Sequence, residues 1–534
     1  MNWKTTFRLL PILMLVAGAC SKVRRPMQLP DPHTFTYEGN AIEGLETDTR
    51  TDPGTITANV KDTGYRGIWD HNQPLDNEYK YKYSGGLATY TAKHRPLAIY
   101  SPEAQKTFFT YGGAAPSNNE RLWHMVSYFD HKTGTVPRPT ILLDKLTGDA
   151  HDNPVISIDD DGYIWIFSTA HGSWRPAYIH KSKKPYSIDS FELIRPVKME
   201  NGQEVPMDNF SYFQPWHLKY RGFLAFFSSY SDAGGTIVGP HGNPAQRTLV
   251  FATSKNGSAW SEWQTIGAIG EGHYPISTQN GEKAGVAFNY HPRKKLPEQG
   301  LNYRTNLYYM ETDDFGNSWK TVGGQPLETP LTDVNSPALV KAYEADSLLV
   351  YMKDMVYDAA GNPAILYLTS RGYESGPDND PRTWRLAKWN GEKWLHSQIT
   401  TSDHNYDMGS IYTEREDRWV VMAPTLKGAQ AYNPGGEVGM YVSTDQGESW
   451  QLERALTSGS AYNHTYVRKP LNAHPDFYAF WADGHAREVS KSRLYYADKQ
   501  GSVYGLPEYM EDDEAKPQKL LEDPLDQTPI ANEN

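Results

Sequence analysis

From about residue 49 to residue 507 the apolar positions come in short runs, rich in aromatic and β-branched side chains. Gly, Asn, Asp and Pro interrupt these runs at close intervals. No stretch sustains the 3.6-residue period of an amphipathic helix. The pattern predicts many short strands joined by tight turns, as in an all-β fold. The run "HDNPVISIDDDGYIWIFSTAHGSWRP" (residues 151–176) is representative. It predicts a strand, a tight turn and a returning strand, with His151 and His171 outside the two ends.

A weak internal repeat narrows the fold. "STDQGESW" (residues 443–450) matches the Asp-box pattern S-x-D-x-G-x-x-W, and "TDDFGNSW" (312–319) is a second copy. "TSKNGSAW" (253–260) is a degenerate third, with Lys255 in the Asp position. "WNGEKW" (389–394) and "IDDDGYIW" (158–165) are turn-plus-Trp relatives. Asp and Gly set a hairpin turn, and the Trp folds back between neighbouring sheets. Such boxes mark the blades of a β-propeller. Roughly 450 folded residues at roughly 50–65 per blade predict six to eight blades, with seven favoured.

Composition agrees: aromatics are 13% of the chain, with 44 Gly and 36 Pro, too aromatic for disorder and too turn-rich for a helical bundle. The net charge of −12 argues against a nucleic-acid partner. It leaves room for an anionic ligand, because a local pocket can be basic on an acidic protein.

The first residues read as an export signal: Lys4 and Arg8, an apolar run over residues 9–16, then Ala17-Gly18-Ala19-Cys20. Cys20 is the chain's one cysteine and sits where a bacterial lipobox is lipidated. The expectation is residues 1–19 as signal peptide, 20–48 as tether, 49–507 as propeller and 508–534 as an extended acidic tail. A lipid on Cys20 implies an outer-membrane anchor. "SKVRRP" after it lacks an acidic export run and points to the periplasmic face, with the cell surface as the alternative. A lone cysteine also leaves no disulfide and no multi-cysteine zinc site.

The candidate chemistry is histidine, tyrosine and arginine in turn-flanked loops. His151 and His171 bracket the hairpin above. Tyr212 and His217 lie in "NFSYFQPWH", His273 and Tyr274 in "GEGHYPIS", His404 and Tyr406 in "SDHNYDMGS", and His464, Tyr466 and Arg468 in "AYNHTYVRKP". Each recurs at roughly blade spacing, so several are expected on one face. Such a ring can bind a sugar carboxylate or sulfate and move protons. It offers few carboxylate pairs, unlike a two-carboxylate glycosidase. No serine nucleophile elbow or phosphate loop is present.

The hairpin segment, with "RTNLYYMETDDFGNSW" and "NHTYVRKPLNAHPDFYAFWADG", resembles the BNR-repeat (BNR_4-type) carbohydrate-active proteins, which include ulvan lyases of polysaccharide lyase families 24 and 25. The resemblance covers roughly residues 60–500. It implies a seven-bladed propeller that performs β-elimination at a uronic acid of a rhamnose- and uronate-containing, sulfated polysaccharide or oligosaccharide. His151 and His171 match the family's paired histidines, Tyr274 a site tyrosine and Tyr212 a second one. Those lyases carry an arginine soon after the tyrosine strand. Here that stretch is "FFSSYSDAGGTIVGPHGNPAQRTL", and Arg247 is the nearest candidate, after an insertion. Arg247, His217, His273, His404, His464 and Arg468 are the expected substrate-binding residues. Relatives also hold a structural metal through cysteine and histidine, a site that is absent or rebuilt here. No cofactor is expected, and a structural divalent cation stays open. A dehydratase or rhamnosidase-type exo-hydrolase acting on a terminal sugar, and a non-catalytic glycan-binding lipoprotein, are the alternative functions.

Overall fold

The structure, a computed structural model, describes residues 46–47, 56–171, 176–207, 209–230, 247–270, 272–295 and 299–520. The expected signal peptide, Cys20 and most of the tether lie outside the described residues.

The Asp-boxes form local hydrogen-bonded units. In residues 443–450, Asp445 Oδ1 accepts the backbone N–H groups of Glu448 (3.1 Å) and Ser449 (2.9 Å), while Ser443 Oγ accepts that of Gly447 (2.7 Å). Residues 312–319 repeat the pattern with Thr312 and Asp314. In the degenerate copy Asn256 replaces the aspartate: its Oδ1 accepts from Ser258 and Ala259, and Ser254 Oγ accepts from Gly257. The chemistry is kept but shifted one residue from the predicted Lys255 position. Trp319 behaves as predicted. It packs edge-on against Phe226 and Phe251 of the preceding sheet, with ring centroids 5.8 and 5.1 Å away. Removing a buried indole of this kind costs about 3–5 kcal/mol.

The strands assemble as antiparallel meanders in an all-β propeller arrangement. The first sheet is built on Ala98–Ser101, Lys106–Ala115, Asn118–Asp130 and Thr140–Asp144, with Ile56–Lys61 added outside. The second runs from Pro154–Ile158 to Phe191–Ile194, the third from Ser211–Leu218 to Gln264–Gly267, and the fourth from Ile276–Asn280 to Pro326–Leu327. The fifth spans Leu349–Tyr357 to Trp394–Ser402, the sixth Ser410–Arg415 to Gln451–Ala455, and the seventh Asn463–Arg468 to Gln518–Lys519. Counting every described sheet of three or more strands gives eight, one more than the seven predicted. The extra one arises because the hairpin Val197–Glu200/Gln203–Pro206 pairs with Ala259–Trp260 instead of joining a neighbour. A two-stranded hairpin, Trp69–Pro74/Tyr81–Gly86, lies over the seventh sheet.

The core sits between sheets, in clusters that each draw on two or three neighbours. The ring closes where Phe109 of the first sheet meets Phe477 and Phe480 of the seventh, at centroid distances of 5.5 and 5.0 Å.

The expected boundary at residue 507 is too early. Met510 is buried against this closing cluster, Glu514–Ala515 pairs with Val136–Pro137, and Gln518–Lys519 extends the seventh sheet. Arg138 donates to the carbonyls of Met510, Glu511 and Asp512. Backbone groups and one apolar anchor hold a segment whose acidic side chains face water. Composition alone could not report that.

Gly447 turns its box at φ +86°, and a Cβ there would lie 2.5 Å from Leu386 Cδ2. Gly447→Ala is expected to cost about 1–3 kcal/mol through left-handed strain and overpacking. A lowered urea midpoint would show it, and an unchanged midpoint would count against this role.

Candidate active site

The predicted hairpin forms. Pro154–Ile158 pairs with Ile164–Ser168, Pro154 opposite Ser168, so His151 and His171 each lie three residues beyond the last pair, at the same open end. Their rings stack with centroids 3.9 Å apart and planes 12° from parallel. Asp149, which was not singled out from the sequence, holds them there. Its Oδ1 lies 2.5 Å from His151 Nδ1 and its Oδ2 2.8 Å from His171 Nδ1. Asp149 also caps the 3-10 turn Ala150–Asp152 by accepting the His151 backbone N–H. Burial pushes the Asp149 carboxyl up, but the charges and hydrogen bonds of the two histidines outweigh it and hold it well below the usual carboxylate range. An ionised carboxylate only accepts, so both Nδ1 atoms carry hydrogen and the Nε2 atoms face the other way.

His151 Nε2 meets the hydroxyls of Tyr83 (2.8 Å) and Tyr90 (2.7 Å), themselves 2.9 Å apart. Burial first, and neighbouring tyrosines next, push both phenols well above their ordinary range, so they stay neutral donors. His151 is therefore an anchored member of the pair. His171, with its side chain 26% exposed, is the member open to a ligand.

Tyr212 stands beside the pair, its ring 6.2 Å from His151 and 6.3 Å from His171. Its backbone is left-handed (φ 56°) inside a β-bulge where the pairing slips between Ser211 and Gln214. The first strand of the seventh sheet has the same device, with Tyr466 at φ 48° in a slip between Thr465 and Arg468. The first strand of the fifth slips between Met352 and Asp354, at Lys353. Each bulge adds one residue and re-aims a side chain that strict alternation would send between sheets.

Tyr274 packs edge-on to Tyr212 at 5.5 Å. Arg247, first residue of the strand Arg247–Ser254, donates to the Tyr274 hydroxyl at 2.7 Å, and the Arg304 guanidinium lies 4.4 Å from the ring centroid. Burial pushes this phenol up, but the two guanidiniums outweigh it and set it below the ordinary tyrosine value. Every other described tyrosine with a resolved shift moves upward. The insertion before Arg247, residues 231–246, lies outside the described residues, yet the strand after it returns the arginine to the tyrosine.

These groups line one cavity of about 280 Å³, with Lys82, Lys93, Arg304, Tyr351, Lys353, Asn405, Tyr406 and Asp407. The lining holds Lys82, Lys93, Arg247, Arg304 and Lys353 against one carboxylate, Asp407. Burial lowers Lys353 to about 7, and burial with the neighbouring Asp403 raises Asp407 to about 8. Near neutrality the cavity is a cationic recess in an acidic protein.

Five expected substrate-binding residues belong to the scaffold instead. His217 lies at the far end of its strand from Tyr212, packed on Phe223. His273 is fully buried, its Nε2 accepting the Ile269 N–H at 2.9 Å. His404 is buried behind the lining and accepts the Tyr406 N–H through Nδ1. His464 accepts from Trp481 Nε1 at 3.0 Å. Arg468 donates to the carbonyls of Thr91 and His94 and lines a separate cavity. Turn-flanked histidines at blade spacing mark inter-sheet joints as readily as the mouth. Arg304 and Asp149 are among the residues missed, with Tyr83, Tyr90, Lys353 and Asp407. The available signals were a cation opening the apolar run "RTNLYYM" and an aspartate two residues before His151. The cysteine–histidine metal site implied by the resemblance does not fit, since the sole cysteine is Cys20.

Residues 106–402 match a family described as BNR repeat-containing family member. An ulvan lyase of Nonlabens ulvanivorans is 26% identical over 373 residues, 61% of this chain and 69% of that protein. An ulvan lyase of Alteromonas sp. (strain LOR) is 25% identical over 392 residues, 66% and 73% of the two chains. Among solved structures, a polysaccharide lyase described as PL25-Ulvanlyase superposes with a TM-score of 0.60 at 17% identity, over 82% of this chain and 96% of that one. The polysaccharide lyase Uly1 gives 0.54 at 11% identity, over 82% and 100%. With its propeller arrangement and a family match spanning more than half its length, this chain belongs to the BNR repeat-containing family.

Proposed function

We propose that this protein is a polysaccharide lyase that cleaves ulvan or an ulvan-like uronate-containing glycan by β-elimination. The observation that carries the reading is Tyr274, a buried phenol lowered by Arg247 and Arg304, facing the Asp149-backed histidine pair across one cationic cavity. The names of the similar proteins supply the substrate class.

In the proposed reaction the uronate carboxylate lies against His171 and the two arginines. Their positive charge acidifies the proton on C5 and stabilises the enolate-like charge that develops as it leaves. Tyr274, as phenolate, takes that proton. The C5–H electron pair forms the C4–C5 double bond, and the C4–O4 bond breaks. Tyr212, beside both Tyr274 and the histidines, donates a proton to O4. The products are an unsaturated uronate and a new sugar end. With Asp407 the one carboxylate among the described lining residues, the two-carboxylate geometry of ordinary glycosidases has no support.

For blade number we favour seven. The three-stranded sheet supplies no first strand to the ring, whereas the first strands of the first six larger sheets contact one another in order and the seventh sheet packs between the sixth and the first. For location we favour an outer-membrane lipoprotein facing the periplasm, which rests on the sequence of residues 1–25.

Incubation with ulvan is expected to give ultraviolet-absorbing unsaturated uronate with chain cleavage. Loss of water without cleavage would mean a dehydratase, and cleavage with water gain and no absorbance a hydrolase. In the same assay His171→Ala should lose roughly 100- to 10,000-fold in rate with a nearly unchanged melting temperature. A fully active variant would remove His171 from the reaction.

Arg247→Met removes a positive charge that favours the phenolate, so the Tyr274 value must rise. The alkaline-rising limb of kcat/KM is then expected to move up by about one pH unit. An unmoved limb with lowered activity would mean that Arg247 binds substrate without tuning Tyr274.

Radiolabelled palmitate should label the protein in a bacterial host and fail to label Cys20→Ala. Equal labelling of both would exclude the anchor.

A further inference from the structure

We infer that His131, His474 and Asp476 form a site for one borderline divalent cation of the Zn2+ type, which staples the first sheet to the seventh. One nitrogen or carboxylate oxygen from each lies within 4.8 Å of the other two. His131 Nδ1 is 3.7 Å and His474 Nδ1 3.6 Å from Asp476 Oδ2, and the imidazole centroids are 3.8 Å apart. Tetrahedral zinc with bonds of about 2.0–2.2 Å spaces its ligand atoms roughly 3.3–3.5 Å apart, so small side-chain rotations close the site.

The second observation is an unpartnered group aimed into the cluster. The His131 side chain is only 5% exposed, and its Nδ1 is buried with no hydrogen-bond partner. Its other nitrogen, Nε2, is 2.8 Å from Thr107 Oγ1. When Nε2–H donates to Thr107, Nδ1 presents a lone pair towards the Asp476 carboxylate. In that tautomer a cation between the two groups is held by both. A metal-bound histidine usually donates its remote N–H in this way. His474 Nδ1 accepts the Asp476 backbone N–H at 3.2 Å, a hydrogen bond it exchanges for the cation on binding. Two imidazoles and one carboxylate suit Zn2+ and disfavour Ca2+ or Mg2+, which take oxygen ligands. Asp476 has a 60% exposed side chain, leaving the solvent side open for water as fourth ligand.

The position gives the site a purpose. His131 follows the strand Asn118–Asp130 of the first sheet, and His474 and Asp476 lie in the loop between the first two strands of the seventh. That loop is already pinned to the first sheet: Leu471 donates to the Ala98 carbonyl at 2.8 Å and accepts from Tyr100 at 2.9 Å. The ligands are therefore preset, and a cation that binds only the closed ring raises the stability of closure.

The test is calorimetric titration of the EDTA-stripped protein with Zn2+ alone, with zinc content measured after dialysis and melting curves with and without Zn2+. The expected result is one retained equivalent and a raised melting temperature. Asp476→Asn and His474→Gln should each weaken Zn2+ binding at least tenfold and abolish the rise, while melting like the parent without metal. His171→Gln, in the separate Asp149–His151–His171 cluster, should keep both. No zinc uptake, uptake that survives both variants, or uptake lost only in His171→Gln would overturn the proposal.

Discussion

Each sheet has two apolar faces, and neither can be left in water. The faces of a four-stranded antiparallel sheet bury fully only between two neighbours, so the sheets must form a closed ring. The contact of Phe109 with Phe477 and Phe480 is where this requirement is met last, between parts of the chain more than 360 residues apart. Everything functional depends on that closure. It brings together, at one end of the axis, Tyr83, His151, Tyr212, Tyr274, Arg304, Lys353 and Tyr466, each from a different part of the chain.

The crowding at that end creates an electrostatic problem, and the site is its solution. Buried cations and phenols are each costly alone. Here they satisfy one another: Arg247 donates to Tyr274, Arg304 to Tyr406 at 3.1 Å, and Lys353 to the Asn405 carbonyl at 2.6 Å. Asp149 plays the same part for the histidines. The outcome is a set of groups whose proton affinities are pushed apart. Tyr83 and Tyr90 stay protonated and Asp149 stays ionised, while Tyr274 moves towards ionisation. A base and an acid close together at neutral pH are what proton abstraction next to a carboxylate requires.

Precision comes from irregularity in the sheets. Alternation sends successive side chains of a strand to opposite faces, which suits a core and leaves few positions for a site. The slips at Tyr212, Lys353 and Tyr466 break the alternation in three first strands and turn those side chains towards the axis. The left-handed backbone of Tyr212 and Tyr466 is a local cost that the surrounding pairing sustains.

The sequence by itself determined the local units. The box turns, the tryptophans behind them and the hairpin between His151 and His171 depend on residues a few positions apart, and the propeller follows from their repetition. The paired histidines were legible for the same reason, since a hairpin returns its ends to one place. Only the tertiary structure decided which other polar residues share that place. His273 and His464 carry the same flanking glycines, prolines and asparagines as Tyr274 and Tyr466, yet their ring nitrogens bond the Ile269 N–H and Trp481 Nε1 and neither lines the cavity. Arg304, the bulges and the packed segment after residue 507 left no periodic mark. Their positions are set by ring closure, which joins distant segments, and hydrophobic patterning reports only on near neighbours in the chain.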